Sequence, residues 1–228
     1  MRLDSEVRGI GSRAAGFTVR ASGCKSDFEV AADIVVHGAG RVPDLDDLDL
    51  EAACVERTAR GVKVNEFLQS VSNPSVYGAG DAADTPGPPL TPVAGYEGRI
   101  VGANLLEGNR WKADYSAVPS VVFAIPPLAS VGFQEDEARE AGLKFRVIHQ
   151  DTAGWYSSRR VAEECSGFKM LVEEPGEKIL GAHLLGPQAD ELINLFALAI
   201  RKGLRATDLK ETLFAYPTHA SDVAYMLG

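Results

Sequence analysis

The sequence predicts a mixed α/β chain built in two parts, on three observations. The run Ile34-Val35-Val36 is continuous and apolar, as expected of a strand buried on both faces. Val76-Tyr77 leads straight into the glycine turn Gly78-Ala79-Gly80-Asp81, and Thr91-Pro92 then starts a helix. After a composition shift at residues 111–115, strand-like and helix-like runs alternate to the end. With 228 residues the chain has room for one large domain or two small ones, and can bury a core without disulfides or metal.

Taken in order, residues 16–21, 27–31 and 33–37 read as strands, and Ser22-Gly23 supplies a hairpin signal. Asp44, Asp46, Asp47, Asp49 and Glu51 follow. Leu48 stands where a calcium loop needs a ligand, so this is a solvated loop. Short strands are expected at 62–64 and 76–77. A proline-rich loop over 84–90 precedes a helix from Thr91, its N-cap, to residue 106, stopped by Gly108. Residues 115–134 carry no charge, but Pro119, Pro126 and Pro127 exclude a lone membrane helix; the segment reads as two buried strands around a Pro-Pro turn. Further strands are expected at 118–123, 129–133, 145–149, 168–172 and 179–185. Helices are expected at 135–141, at 187–202 and from Thr207 to 213. In the second of these, Leu192, Leu195, Phe196, Ala199 and Ile200 make one apolar face.

Lys plus Arg number 23 against 32 Asp plus Glu, a net charge of −9, which argues against nucleic-acid partners and anionic membranes. No apolar stretch of signal-peptide type opens the sequence, so a cytoplasmic location is expected. Cys24, Cys54 and Cys165 have neither disulfide nor zinc spacing and read as small buried residues; no metal site is expected. His37, His149 and His183 fall in strand-like runs and read as structural. The loose pattern G-x-G-x-x-A occurs at Gly9 and at Gly78, and neither is a credible dinucleotide fingerprint. Asp81 follows a glycine turn at a strand end. Its carboxylate could accept hydroxyl hydrogen bonds from a sugar or polyol, or simply cap the turn; local chemistry leaves both open.

Several motifs in order nevertheless resemble the pyridine nucleotide-disulfide oxidoreductases, the glutathione reductase, dihydrolipoamide dehydrogenase and mercuric reductase type. Gly38-Ala39-Gly40-Arg41-Val42-Pro43-Asp44 looks like the family's return segment from the nicotinamide domain to the flavin domain. Val76-Tyr77-Gly78-Ala79-Gly80-Asp81 looks like its second flavin motif, and Leu90-Thr91-Pro92-Val93-Ala94 like the helix start beneath the flavin ring. Val118-Pro119-Ser120-Val121-Val122-Phe123 and Gly181-Ala182-His183-Leu184-Leu185-Gly186-Pro187 look like its dimerisation domain. The resemblance implies a partial flavin-domain sheet followed by an α+β interface domain with an antiparallel sheet and helices. The implied boundaries are a nicotinamide-domain remnant over 1–36, the C-terminal part of the FAD domain over 37–112 and the dimerisation domain over 113–228. Implied cofactor-binding residues are Gly40, Arg41, Gly80, Asp81, Leu90 and Thr91.

Two departures shape the expectation. The chain has no C-x-x-x-x-C pair and no complete nucleotide site, so FAD and NAD(P)H belong to a full-length parent and none is expected on this chain alone. The expected partners are a second copy and the missing N-terminal half. The family's closing H-P-T-x-x-E is here Tyr216-Pro217-Thr218-His219-Ala220-Ser221, with Asp222 one step late. A Tyr phenol acting as base near neutrality costs about 4–5 kcal/mol more than a His. Tyr216 and His219 are the candidate catalytic residues, expected to face a partner's site across a homodimer. A stand-alone dimerisation or assembly module is the alternative function.

Overall fold

The computed structural model describes residues 2–228. The chain divides into two compact units, the first ending at Val42 and the second spanning Pro43–Gly228.

The first unit is an antiparallel meander of β1 (Ser5–Ser12), β2 (Phe17–Gly23) and β3 (Asp27–Ala32). The Ser22-Gly23 hairpin forms as expected, closed by the Gly23 N–H donating to the Ser26 carbonyl at 3.2 Å. β1 itself was not expected, and it absorbs Gly9-Ile10-Gly11, so the first glycine pattern lies inside a strand. The expected strand at 33–37 is absent. β3 ends at Ala32, no strand among the described residues pairs beyond it, and Ile34 and Val36 are 76% and 86% exposed. An apolar run marks a strand only where neighbouring strands satisfy its backbone.

The second unit opens with a small sheet of β4 (Arg57–Thr58), β5 (Gly61–Lys63) and β6 (Ala83–Asp84). Residues 76–77 contribute only an isolated bridge, Tyr77 to Gln69. Helix α1 (Thr91–Glu107) begins one residue earlier than expected. Leu90, not Thr91, is the N-cap, because its carbonyl already accepts from the Ala94 N–H at 3.0 Å.

The five-stranded antiparallel sheet is built from β7 (Ser120–Val122), β8 (Leu128–Gly132), then, after α2 (Glu135–Glu140), β9 (Phe145–Asp151), α3 (Tyr156–Arg160), β10 (Gly167–Glu173) and β11 (Ile179–Leu185), in the spatial order β7-β8-β11-β10-β9. Edge strand β7 is not buried. Val122 and the Phe123 and Ile125 that follow it face solvent, because among the described residues β8 alone pairs with β7. Helix α4 (Ala189–Lys202) lays Leu192, Ile193, Phe196 and Ala199 onto Val131, Met170 and Ala182 of the sheet, forming the main core. Helices α5 (Ala206–Lys210) and α6 (Val223–Met226) close the fold. α5 is capped by Arg205 rather than Thr207 and stops short of Leu213, which is 99% exposed.

All three cysteines are exposed rather than buried: Cys24 and Cys165 lie outside the regular elements or at their ends, and Cys54 has a left-handed φ of 52° in a turn. Among the described residues no helix is long and apolar enough to cross a membrane.

Candidate functional site

In the second unit the glycine turn and the start of α1 come together. Gly80 has φ +64°, and a Cβ there would lie 2.8 Å from the Ala94 Cβ, so only glycine lets the turn pack on the first turn of the helix. Asp81 follows in a short 3-10 turn, Gly80–Ala82. Its carboxylate is exposed and makes no hydrogen bond or ion pair among the described residues. The start of α1 has no side-chain cap and no acid in its first turn, so its partial positive charge is uncompensated. Gly80, Asp81, Leu90 and Thr91 thus share one corner. A free carboxylate can accept hydrogen bonds from hydroxyl groups, and an open helix end favours negative charge. Gly40, with φ +87°, and Arg41 lie in the first unit, in the exposed segment after β3.

Behind this corner stands a residue missed at the sequence level. Glu97 is fully buried in α1. It accepts from the Gly80 N–H at 2.6 Å, the Thr85 hydroxyl at 2.9 Å and the Tyr115 hydroxyl at 2.5 Å. Burial, and then the Glu97 carboxylate, push the Tyr115 phenol well above its ordinary range. Asn104, two turns further along the same face of α1, uses all of its amide. Its oxygen accepts from the Arg110 and Trp111 N–H groups at 3.0 and 2.9 Å, and its nitrogen donates to the Phe67 and Trp111 carbonyls at 3.0 and 2.9 Å. The signal was present: Val93, Glu97, Ile100 and Asn104 fall at i, i+4, i+7 and i+11, so two polar residues occupy the buried stripe of α1.

The C-terminal candidates lie elsewhere. Tyr216 is 77% exposed and stacks on Tyr156, with ring centroids 6.2 Å apart. His219 is half-buried and borders a cleft of about 630 Å³ shared with Arg160, Gln188 and Glu191. Burial, and then the nearby Arg160 guanidinium, lower its pKa, while Asp222 opposes the shift. Ser221, at the position of the family's Glu, turns its hydroxyl onto the Thr218 carbonyl at 2.5 Å. Asp222 accepts a short bond from the Ser157 hydroxyl. Neither side chain hydrogen-bonds an imidazole. His149 is exposed on β9, and His37 is exposed outside any strand. His183 is structural as expected, its ring held between the Ser130 hydroxyl at 2.8 Å and the Phe133 carbonyl at 3.1 Å.

Two family models cover most of the chain. The pyridine nucleotide-disulphide oxidoreductase model matches residues 1–98, and the dimerisation domain of the same family matches residues 118–226. A protein described as an uncharacterized 19.7 kDa protein in the mercuric resistance operon of Staphylococcus aureus is 50% identical over 180 residues, 79% of this chain and 100% of that protein. The chain belongs to the pyridine nucleotide-disulphide oxidoreductase family.

The dihydrolipoyl dehydrogenase of Bacillus subtilis is 33% identical over 218 residues, 96% of this chain but 46% of the enzyme. Among solved structures, a Cu(II) complex of a mutant form of the HOCl-induced flavoprotein disulfide reductase RclA from Escherichia coli superposes with a TM-score of 0.84 at 27% identity. That match covers 97% of this chain and 49% of RclA. The chain therefore spans under half the length of its dehydrogenase relative and about half that of the reductase. The family is FAD- and NAD(P)H-dependent, and the mixed architecture with an antiparallel sheet and helices agrees with the expected class.

Proposed function

We propose that this chain is the C-terminal portion of an FAD-dependent, NAD(P)H-linked disulfide reductase, supplying part of the flavin site and the homodimer contact, without turnover by itself. The observation that carries the reading is the corner where the glycine turn that bears the free Asp81 carboxylate packs, through Gly80, on the uncapped first turn of α1. In this reading Asp81 accepts hydrogen bonds from the flavin's sugar-like hydroxyls. The helix start at Leu90-Thr91 favours negative charge at the pyrimidine edge, and Gly40 and Arg41 line the return segment. When bound, the flavin supplies the electron transfer; the chain's own residues hold and orient it.

The proposed division is 1–36 for the nicotinamide-domain remnant, 37–112 for the flavin part and 113–228 for dimerisation. Tyr216 and His219 are the acid–base candidates turned toward a partner copy's site. His219 is the better proton acceptor near neutrality, because burial and Arg160 keep its imidazole uncharged. The proposed location is the cytoplasm.

A second reading, a stand-alone dimerisation or assembly module, is favoured by the Staphylococcus aureus protein that this chain covers completely. Three measurements on the purified chain separate them: absorbance at the flavin band, NADH or NADPH oxidation with lipoamide or oxidised glutathione, and mass by light scattering. A colourless, inactive dimer that turns yellow and active when co-produced with an N-terminal half carrying G-x-G-x-x-G and C-x-x-x-x-C supports the first reading. A dimer that no such half restores supports the second. Turnover by the chain alone overturns both.

A further inference from the structure

Among the described residues, Glu97 is the only ionisable side chain in the buried class. No cation among the described residues pairs with it, and its three hydrogen-bond partners are neutral. A buried carboxylate is costly unless its oxygens are well bonded. Here the bonds come from three separate stretches: the Gly80 N–H in the glycine turn, the Thr85 hydroxyl in the proline-rich loop and the Tyr115 hydroxyl beyond α1. Of the three partners only the Gly80 N–H is confined to donating; the Thr85 and Tyr115 hydroxyls both lie on the other carboxylate oxygen. A carboxylate takes all three as charge-assisted donors, whereas a Gln amide can hold Gly80 only by turning its nitrogen to the two hydroxyls, and then through a neutral, weaker bond.

The same node reaches further. The Thr85 hydroxyl also accepts from the Gly87 N–H at 3.3 Å, and the Tyr115 ring lies where a Gly87 Cβ would be, 2.5 Å away. The loop held in this way runs on to Leu90, the N-cap of α1.

We propose that Glu97 is a positioning residue: its carboxylate fixes Gly80, and through it aims Asp81, while the Tyr115 hydroxyl locks that turn to the segment entering the dimerisation region. The identity of the ligand that Asp81 meets rests on the flavin reading above; the clamp itself does not.

The test is residue-resolved amide hydrogen exchange on the full chain without flavin. Glu97→Gln should speed exchange at Gly80 by about tenfold or more, the effect of losing one charge-assisted hydrogen bond. The amides of Ile100 to Ala103 within α1 should keep their protection. Thr85→Val should loosen Gly80 as well, and Thr85→Ser, which keeps the hydroxyl, should restore it. Tyr115→Phe removes one donor from a half-buried site and leaves the carboxylate in place. It should speed Gly80 exchange by a smaller factor, and it decides the matter if Glu97→Gln does not fold. Unchanged Gly80 exchange in Glu97→Gln, or in Tyr115→Phe where the former does not fold, overturns the proposal. So does a uniform rise along the whole of α1. An overturned clamp leaves the flavin reading standing, and failed complementation leaves the clamp standing.

Discussion

Asn104→Asp changes one atom type and reverses half of a buried network. The acid oxygen still accepts from the Arg110 and Trp111 N–H groups. The second oxygen now faces the Phe67 and Trp111 carbonyls, to which the amide nitrogen had donated. Two donated bonds disappear, about 1 kcal/mol net each, and two partly buried carbonyls are left opposite a carboxylate. The expected loss is about 2–4 kcal/mol. With a urea slope of about 2 kcal/mol per molar, the midpoint should fall by roughly 1–2 M at unchanged slope. Far-UV circular dichroism follows α1, and Trp111 fluorescence follows the segment held by the amide. Asn104→Ala should be the milder change if repulsion dominates, because it removes the facing charge. An Asn104→Asp midpoint within about 0.2 M of the parent would falsify the assignment of the amide as a fully used clamp.

Gly80→Ala forces a left-handed φ on a residue with a Cβ and brings that Cβ to 2.8 Å from Ala94. It should cost about 1–2 kcal/mol or more in thermal or urea melts, and a variant as stable as the parent would show that the turn relaxes freely. His183 is held neutral by burial, so its folded pKa lies below its unfolded value. Its contribution is complete above the unfolded value near 6.5 and is lost as pH falls toward the folded one, at a rate of at most about 1.4 kcal/mol per pH unit. The fall in stability from pH 7 to 5 should therefore be shallower in His183→Gln; equal slopes would refute the account. Asp81→Asn should lower flavin retention in the complemented enzyme by about tenfold or more without moving the melting temperature of the isolated chain. Equal retention would remove Asp81 from the site.

Much of the architecture was readable because local pattern and tertiary environment agree. The β11 bounds match the expectation, and α1, β10 and α4 differ by a residue or two at their ends. Their apolar periodicity is satisfied within the chain's own core. The misreadings arise where a pattern depends on something distant. Ile34-Val35-Val36 has strand chemistry and, among the described residues, no strand beside it. Composition placed the cysteines inside, whereas turns and loops placed them outside. In the candidate site, Gly80, Asp81 and Thr91 were legible from a local motif. The stripe of α1 marks Glu97 as inward-facing, but not what it binds, because its three donors lie 12 to 18 residues away along the chain. Likewise, the Ser157 contact of Asp222 joins residues 65 apart, beyond the reach of any local pattern.

The unequal distribution of the core has a practical outcome. Among the described residues, every buried apolar residue except Ala21 lies beyond Val42. A protease offered the folded chain meets an irregular, largely exposed stretch at residues 33–42, following a meander with almost no interior. Cleavage there should release a fragment of about forty residues that is soon degraded. The remainder, from Pro43 onward, should survive as a resistant band, because it keeps the five-stranded sheet, α4 and the Glu97 node together. For anyone preparing crystals or display libraries, that band is the natural unit to carry forward.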